Sequence, residues 1–276
     1  MKLITTTLLV AIGTTPAVAL GFGGNIAAHY NFGSLTESTN GDGLESIDND
    51  TYSGFDVQGS VGFALGGRVG VQLDAGWMSF DSPSYDYHTS TAYNLHVFMP
   101  VGNMQLGAFY GFGVGDHEYE GDTGDVTYYG VDLAMPLGSG QLAAQVGFAN
   151  HDNTHSSLDY TGALFGAVAY SHFVNDNLML RGTAGMANFV THDEPGAVYL
   201  LQAEASYALS RNLAANIGVR DIIISNAGEG SGNDLAFFAG IQVFFGGGGI
   251  RESMASTPMI ATMLPSLAAT ASSIVD

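Results

Sequence analysis

The chain has 276 residues and no cysteine, which excludes disulfide frameworks, thiolate metal sites and any nucleophile built on sulfur. Its formal net charge of −20, six basic residues against 26 acidic ones, excludes a nucleic-acid partner and favours cations in its surroundings. Yet only 12% of residues are charged, and 39 glycines, 16 phenylalanines and 13 tyrosines set it apart from acidic disordered chains, so a folded, aromatic-rich β protein is expected.

Residues 1–19, MKLITTTLLVAIGTTPAVA, join Lys2 to an apolar middle and a small-x-small ending at Ala17-Val18-Ala19, the pattern of a secretory signal peptide. An exported chain is expected, with five arginines as its basic residues. From residue 20 onward the apolar residues alternate with small or polar ones at the period of a strand. Strands are expected at 24–33, 53–65, 68–80, 91–99, 104–115, 126–135, 141–150, 159–172, 178–189, 197–209, 213–223 and 234–245. Short breaker clusters recur at a nearly constant interval: LGGR at 65–68, PVGN at 100–103, PLGSG at 136–140, VNDN at 174–177 and LSRN at 209–212. Between hairpins lie longer acidic stretches read as loops, among them SLTESTNGDGLESIDNDT, DHEYEGDTGD and HDNTHSS. Twelve strands, an even number, put both chain ends on the short-turn side.

One face of each strand is heavily apolar, as in Phe55-Val57-Val61-Phe63, Val69-Val71-Leu73-Trp77 and Leu106-Tyr110-Phe112-Val114. The opposite faces carry Gly, Ala, Gln, Ser and scattered charges such as Asp56, Gln72, Asp74 and Gln145. Small polar residues suit a wet, curved interior better than an open surface. Ten residues rise about 33 Å, which at a tilt near 45° covers roughly 24 Å, the height of a barrel's lipid-facing band. A closed antiparallel barrel is then the way this chain spans a bilayer, and Phe165 belongs in the lumen if Leu164 and Val168 face lipid.

These features together resemble the Gram-negative outer-membrane porin-like β-barrels. A sharper likeness lies in FAGIQVFF, where Gly240, Val243 and Phe245 match the spacing of that family's C-terminal assembly signal. The resemblance implies an all-β, closed antiparallel transmembrane barrel of about 12 strands over residues 20–246, located in the cell outer membrane. It also implies surrounding outer-membrane lipid and the barrel-assembly machinery as partners, and neither cofactor nor bound metal. One departure is the continuation past Phe245. Gly246 to Gly249 read as a hinge, and residues 247–276 as a flexible periplasmic tail; the competing readings are an anchor or a plug folded back into the lumen. A helix there would start at Thr257-Pro258 and carry Ile260, Met263 and Leu264.

With the apolar face toward lipid, Asp74, His96, Asp132, Arg181, Glu204 and Arg220 point into the middle of the lumen. Arg181, Glu204 and Arg220 lie on the ninth to eleventh strands and the other three on the third, fourth and sixth, so a basic wall is expected to face an acidic one. Such a pair of walls orients solutes and selects ions. The expected function is passive diffusion of ions or small hydrophilic solutes through a narrow, mildly cation-favouring lumen. Two other readings compete: a self-satisfied ionic cluster inside a non-conducting structural or surface-binding barrel, and, less favoured, an outer-membrane lipid hydrolase. For the hydrolase, the Ser and His of NTHSS and YSHF are not spaced to meet, and neither a GxSxG elbow nor an HExxH motif occurs, so no enzyme is expected. The histidines of GDHE, NHDN and THDE, beside carboxylates at strand tops, raise a cation rim as a further possibility.

Overall fold

The computed structural model describes residues 22–41, 44–65, 68–81, 88–117, 123–152, 162–191, 194–226, 230–246 and 249–261. The proposed signal peptide, residues 1–19, lies outside them. Twelve strands follow in chain order: β1 (Gly23–Gly41), β2 (Leu44–Leu65), β3 (Val69–Asp81), β4 (His88–Val101), β5 (Met104–His117), β6 (Thr123–Leu137), β7 (Gly140–Asp152), β8 (Ala163–Phe173), β9 (Leu178–Thr191), β10 (Glu194–Ser210), β11 (Leu213–Asn226) and β12 (Gly230–Phe245). Each pairs antiparallel with its neighbours in sequence. The ring closes where β1 pairs β12, Ile26 opposite Val243 and Tyr30 opposite Ala239. Closure leaves no sheet edge, so the backbone is satisfied without water, as a bilayer requires.

The period-two alternation decides which side chains face where. Phe32, Phe55, Tyr110, Val131, Leu201, Ile217 and Phe237 are all exposed outward by half or more of their surface. Cross-strand aromatic pairs stud this outer surface: Tyr30–Phe55 and Tyr93–Phe112, with ring centroids 5.0 and 4.9 Å apart. Phe165 is buried inside while Leu164 and Val168 are exposed outside, the parity expected on the eighth strand.

Two departures concern length. The segment read as the first long loop is mostly strand: β1 and β2 stay in register from Ser34↔Thr51 to Gly41↔Leu44, and β12 pairs β1 as far as Thr39↔Gly230. Polar Ser, Thr and Asn carry no apolar alternation to betray the hairpin, yet their backbones pair as well as any others. In the eighth strand the pairing begins at Ala163, with Gly162 outside it, where the expected strand began at 159.

The tail departs more. Instead of a flexible extension throughout 247–276, residues 249–261 turn back under the barrel. Helix α1 (Ile250–Ser256) precedes Thr257-Pro258 rather than following it. Proline lacks the N–H that would continue the helix, and the Thr257 N–H closes it on the Ser253 carbonyl at 2.9 Å. Ile250 packs with Phe173, Met179, Ala214 and Phe244, whereas Met259 and Ile260 pack with Phe98, Ala134, Ala143 and Ala169. Burial of these apolar side chains, roughly 1.5–3 kcal/mol each, explains why the segment does not hang free. Met263 and Leu264 lie outside the described residues.

Candidate functional site

Lumen-facing positions form three layers between the short-turn and long-loop ends. At the base sits the C-terminal segment, hydrogen-bonded to the wall. The Met259 N–H donates to Gln72 Oε1 (3.0 Å), Gln72 Nε2 donates to the Met259 carbonyl (3.2 Å), and Gln141 Nε2 donates to the Pro258 carbonyl (2.9 Å). Higher up, β3 and β5–β11 contribute an apolar layer that includes Met78, Phe109, Tyr128, Phe165, Leu200 and Ile222. Between them lies a polar belt around a cavity of about 190 Å³.

On one side of the belt the expected acidic residues converge on a histidine. His96 Nε2 stands 2.8 Å from Asp74 Oδ2, an ion-pair contact, while Nδ1 meets Asp132 Oδ2. All three are buried. Gln72 Nε2 holds both Asp74 oxygens, at 2.9 and 3.1 Å, so one amide links this cluster to the C-terminal segment. Asp132 and His96 are two strands apart and meet because β5 places Gly107 between them; a Cβ there would lie 2.2 Å from Asp132 Oδ1. An imidazole between two carboxylates satisfies both only when both ring nitrogens donate.

The opposite side does not converge. Arg181 and Glu204 are register partners on β9 and β10, yet no ion pair joins them. Glu204 Oε1 accepts from Ser206 (2.9 Å), and Arg220 reaches Asp234 at 3.8 Å. Two acids add to this half that the basic-wall reading left out. Asp56 binds His29 Nδ1 (2.8 Å) and Asn31 Nδ2 (2.8 Å), and Asp234 accepts from the Tyr52 hydroxyl. On the wall expected to be basic, Arg220 thus has Asp234 as a counter-ion, while Arg181 has no ion-pair partner among the described residues. Asp56 and Asp234 both show the inward parity in sequence, Asp234 as the first residue of the strand expected at 234–245, but neither is counted among the mid-lumen charges.

The three residues of the proposed assembly signal lie on β12. Val243 is exposed outward and Phe245 sits against Phe22 at 5.7 Å, while Gly240 turns inward where a Cβ would strike the Ala28 carbonyl oxygen at 2.0 Å. The side chains of the rim histidines His117, His151 and His192 lie outside the described residues.

No protein-family model and no curated protein matches the sequence. Among solved structures, the COG4313 outer membrane channel from Pseudomonas putida F1 is similar at 12% identity, covering 81% of this chain and 96% of that one with a TM-score of 0.60. The TodX deltaS2S3 mutant monoaromatic hydrocarbon channel aligns at 9% identity over 81% and 91% (TM-score 0.48). The translocator domain of autotransporter NalP from Neisseria meningitidis aligns at 13% over 81% and 88% (TM-score 0.44). Closed ring, outward apolar band and the likeness to the Pseudomonas putida channel lead to one conclusion: in fold, this chain is a closed twelve-stranded antiparallel β-barrel of the kind seen in Gram-negative outer-membrane proteins.

Proposed function

We propose that the barrel is an outer-membrane channel through which ions or small hydrophilic solutes diffuse passively, with a mild preference for cations. The observation that carries this reading is the polar belt and its cavity of about 190 Å³, enclosed by a wall whose outside is apolar. Polar and charged side chains on the inner face offer partners to water and solutes as well as to one another. Asp56, Asp74, Asp132, Glu204 and Asp234 outnumber Arg181 and Arg220 on the inner wall, which supports the cation preference. The fold shared with the Pseudomonas putida channel agrees with it. On the same reading the partners are the surrounding lipid and an assembly machinery that would read Gly240, Val243 and Phe245.

A second reading, a non-conducting structural barrel, is favoured by the hydrogen-bonded segment at the base. Planar-bilayer conductance separates the two. The full chain is expected to conduct weakly, and a chain ending at Gly246 several-fold more. Arg181→Ala raises cation preference and Asp132→Ala lowers it. Silence from both the full and the shortened chain would favour the structural reading.

A further inference from the structure

We infer that the mid-lumen cavity is a binding subsite for a small zwitterion of the free amino-acid class, its carboxylate held by Arg181 and Arg220 and its ammonium by Glu204. The inference deepens the channel reading and rests on it for access to the lumen.

Arg181, Glu204 and Arg220 line the same cavity from three adjacent strands. Were they a self-contained ionic cluster, they would pair with one another, and they do not. Among the described residues Arg181 makes no ion pair, the contact from Arg220 to Asp234 is long at 3.8 Å, and the buried Arg220 Nε has no hydrogen-bond partner. Arg220 is itself only 7% exposed. Glu204 receives a neutral hydroxyl in place of a cation. Elsewhere in the belt the ionisable groups are matched: His96 with Asp74 and Asp132, His29 with Asp56. Arg181 and Glu204, of opposite sign, are thus left without an ion-pair partner among the described residues, on one side of one cavity and beside the unbonded Nε of Arg220.

The buried Arg220 Nε is a donor left without a partner, which is costly, and a solute carboxylate that reaches it relieves that cost, while the half-buried Arg181 and Glu204 stand beside it to hold the solute's charges. A guanidinium takes a carboxylate in a two-pronged hydrogen bond, and a carboxylate takes an ammonium. A free anion would satisfy the arginines but meet Glu204, the acid that lines the same cavity. A free cation would leave the arginines unmatched. A zwitterion meets both demands in one molecule. The cavity, about 190 Å³, is smaller than the roughly 300–1,000 Å³ pockets of drug-sized ligands, which limits the solute to about the size of one amino acid. Gln58, Gln145, Gln202 and Asn216 line the remainder, so a polar solute side chain finds neutral hydrogen-bonding partners.

The test is calorimetric titration of the full-length protein in detergent micelles with glutamine, acetate and methylammonium as separate probes. Heat-modifiable migration on gels confirms that each variant is folded. Glutamine is expected to bind saturably at one per barrel, and each singly charged probe at least about tenfold more weakly. Arg181→Gln should weaken glutamine about tenfold and abolish acetate binding, while Arg181→Lys retains most of both. Glu204→Gln should weaken glutamine and methylammonium and leave acetate unchanged or tighter. No saturable glutamine binding, or binding indifferent to both charge-removing variants, overturns the inference. Binding does not require conduction, so a silent barrel that still binds glutamine sinks the channel reading alone. A conducting barrel that glutamine neither binds nor blocks sinks the subsite alone.

Discussion

A single hydrogen atom at Gly107 lets two strands share a histidine. With a methyl group there, Asp132 Oδ1 would be 2.2 Å from the new carbon, and the carboxylate would have to swing away from His96. The cluster is buried, so a displaced carboxylate loses its partner without regaining water. Gly107→Ala is therefore expected to cost about 1–3 kcal/mol, the range for overpacking a well-filled site. Asp132→Asn should cost less, because His96 keeps Asp74 and the amide still fills the space. Urea unfolding of the two variants from lipid vesicles ranks them, and the opposite order would show that the charge of Asp132, not its position, holds the cluster.

Among the elements, the C-terminal segment is held by a small set of contacts and so is the easiest to release. Its two links to Gln72 and one to Gln141 are backbone carbonyl and amide bonds made by side chains of the wall. Arg251, in α1, is half exposed and stacks on Phe173 with 4.3 Å between guanidinium and ring centroid. The double variant Gln72→Ala/Gln141→Ala is expected to expose Arg251 to trypsin at least several-fold faster than the parent, with the barrel itself uncut. Equal cleavage rates would mean that the apolar packing of Ile250, Met259 and Ile260, with the Asn25–Ser253 hydrogen bond and the Arg251 contacts, suffices without the two glutamines. The segment was hidden in the sequence for a physical reason. Twelve residues after a glycine run have no neighbour in register, and the burial of Met259 depends on Phe98 and Ala169, far away in the chain. The strands were legible because each repeats its own inward and outward pattern, and Asp74, His96, Asp132, Arg181, Glu204 and Arg220 took their inward facing from it. Parity says which way a side chain points, however, and not which partner it meets two strands away. The bridging role of His96 and the lack of pairing at Arg181 depend on that second kind of information. So does the reach of β1 and β2, whose polar ends pair in register without an apolar alternation in their sequence.

At the scale of the whole molecule, the ring turns an apolar face outward and encloses a polar belt beneath an apolar inner layer, and its stability must depend on the solvent outside it. Ile217, near mid-height on β11, is 63% exposed on the outer surface, and Thr183 on β9 faces the cavity. An arginine at the first position sits in hydrocarbon; at the second it adds a charge to a lumen that is net acidic. Charged substitutions on the lipid face at mid-bilayer cost about 2–4 kcal/mol, and those in a wet lumen far less. Ile217→Arg should therefore lower the free energy of unfolding from phospholipid vesicles by about that amount, while Thr183→Arg changes it by under about 1 kcal/mol. In detergent micelles, whose boundary adapts around a charge, the penalty on Ile217→Arg should shrink. If both variants lose equal stability in vesicles, the outer face is not bathed in lipid, and the apolar surface of Phe55, Val131 and Ile217 must instead be covered by another protein surface.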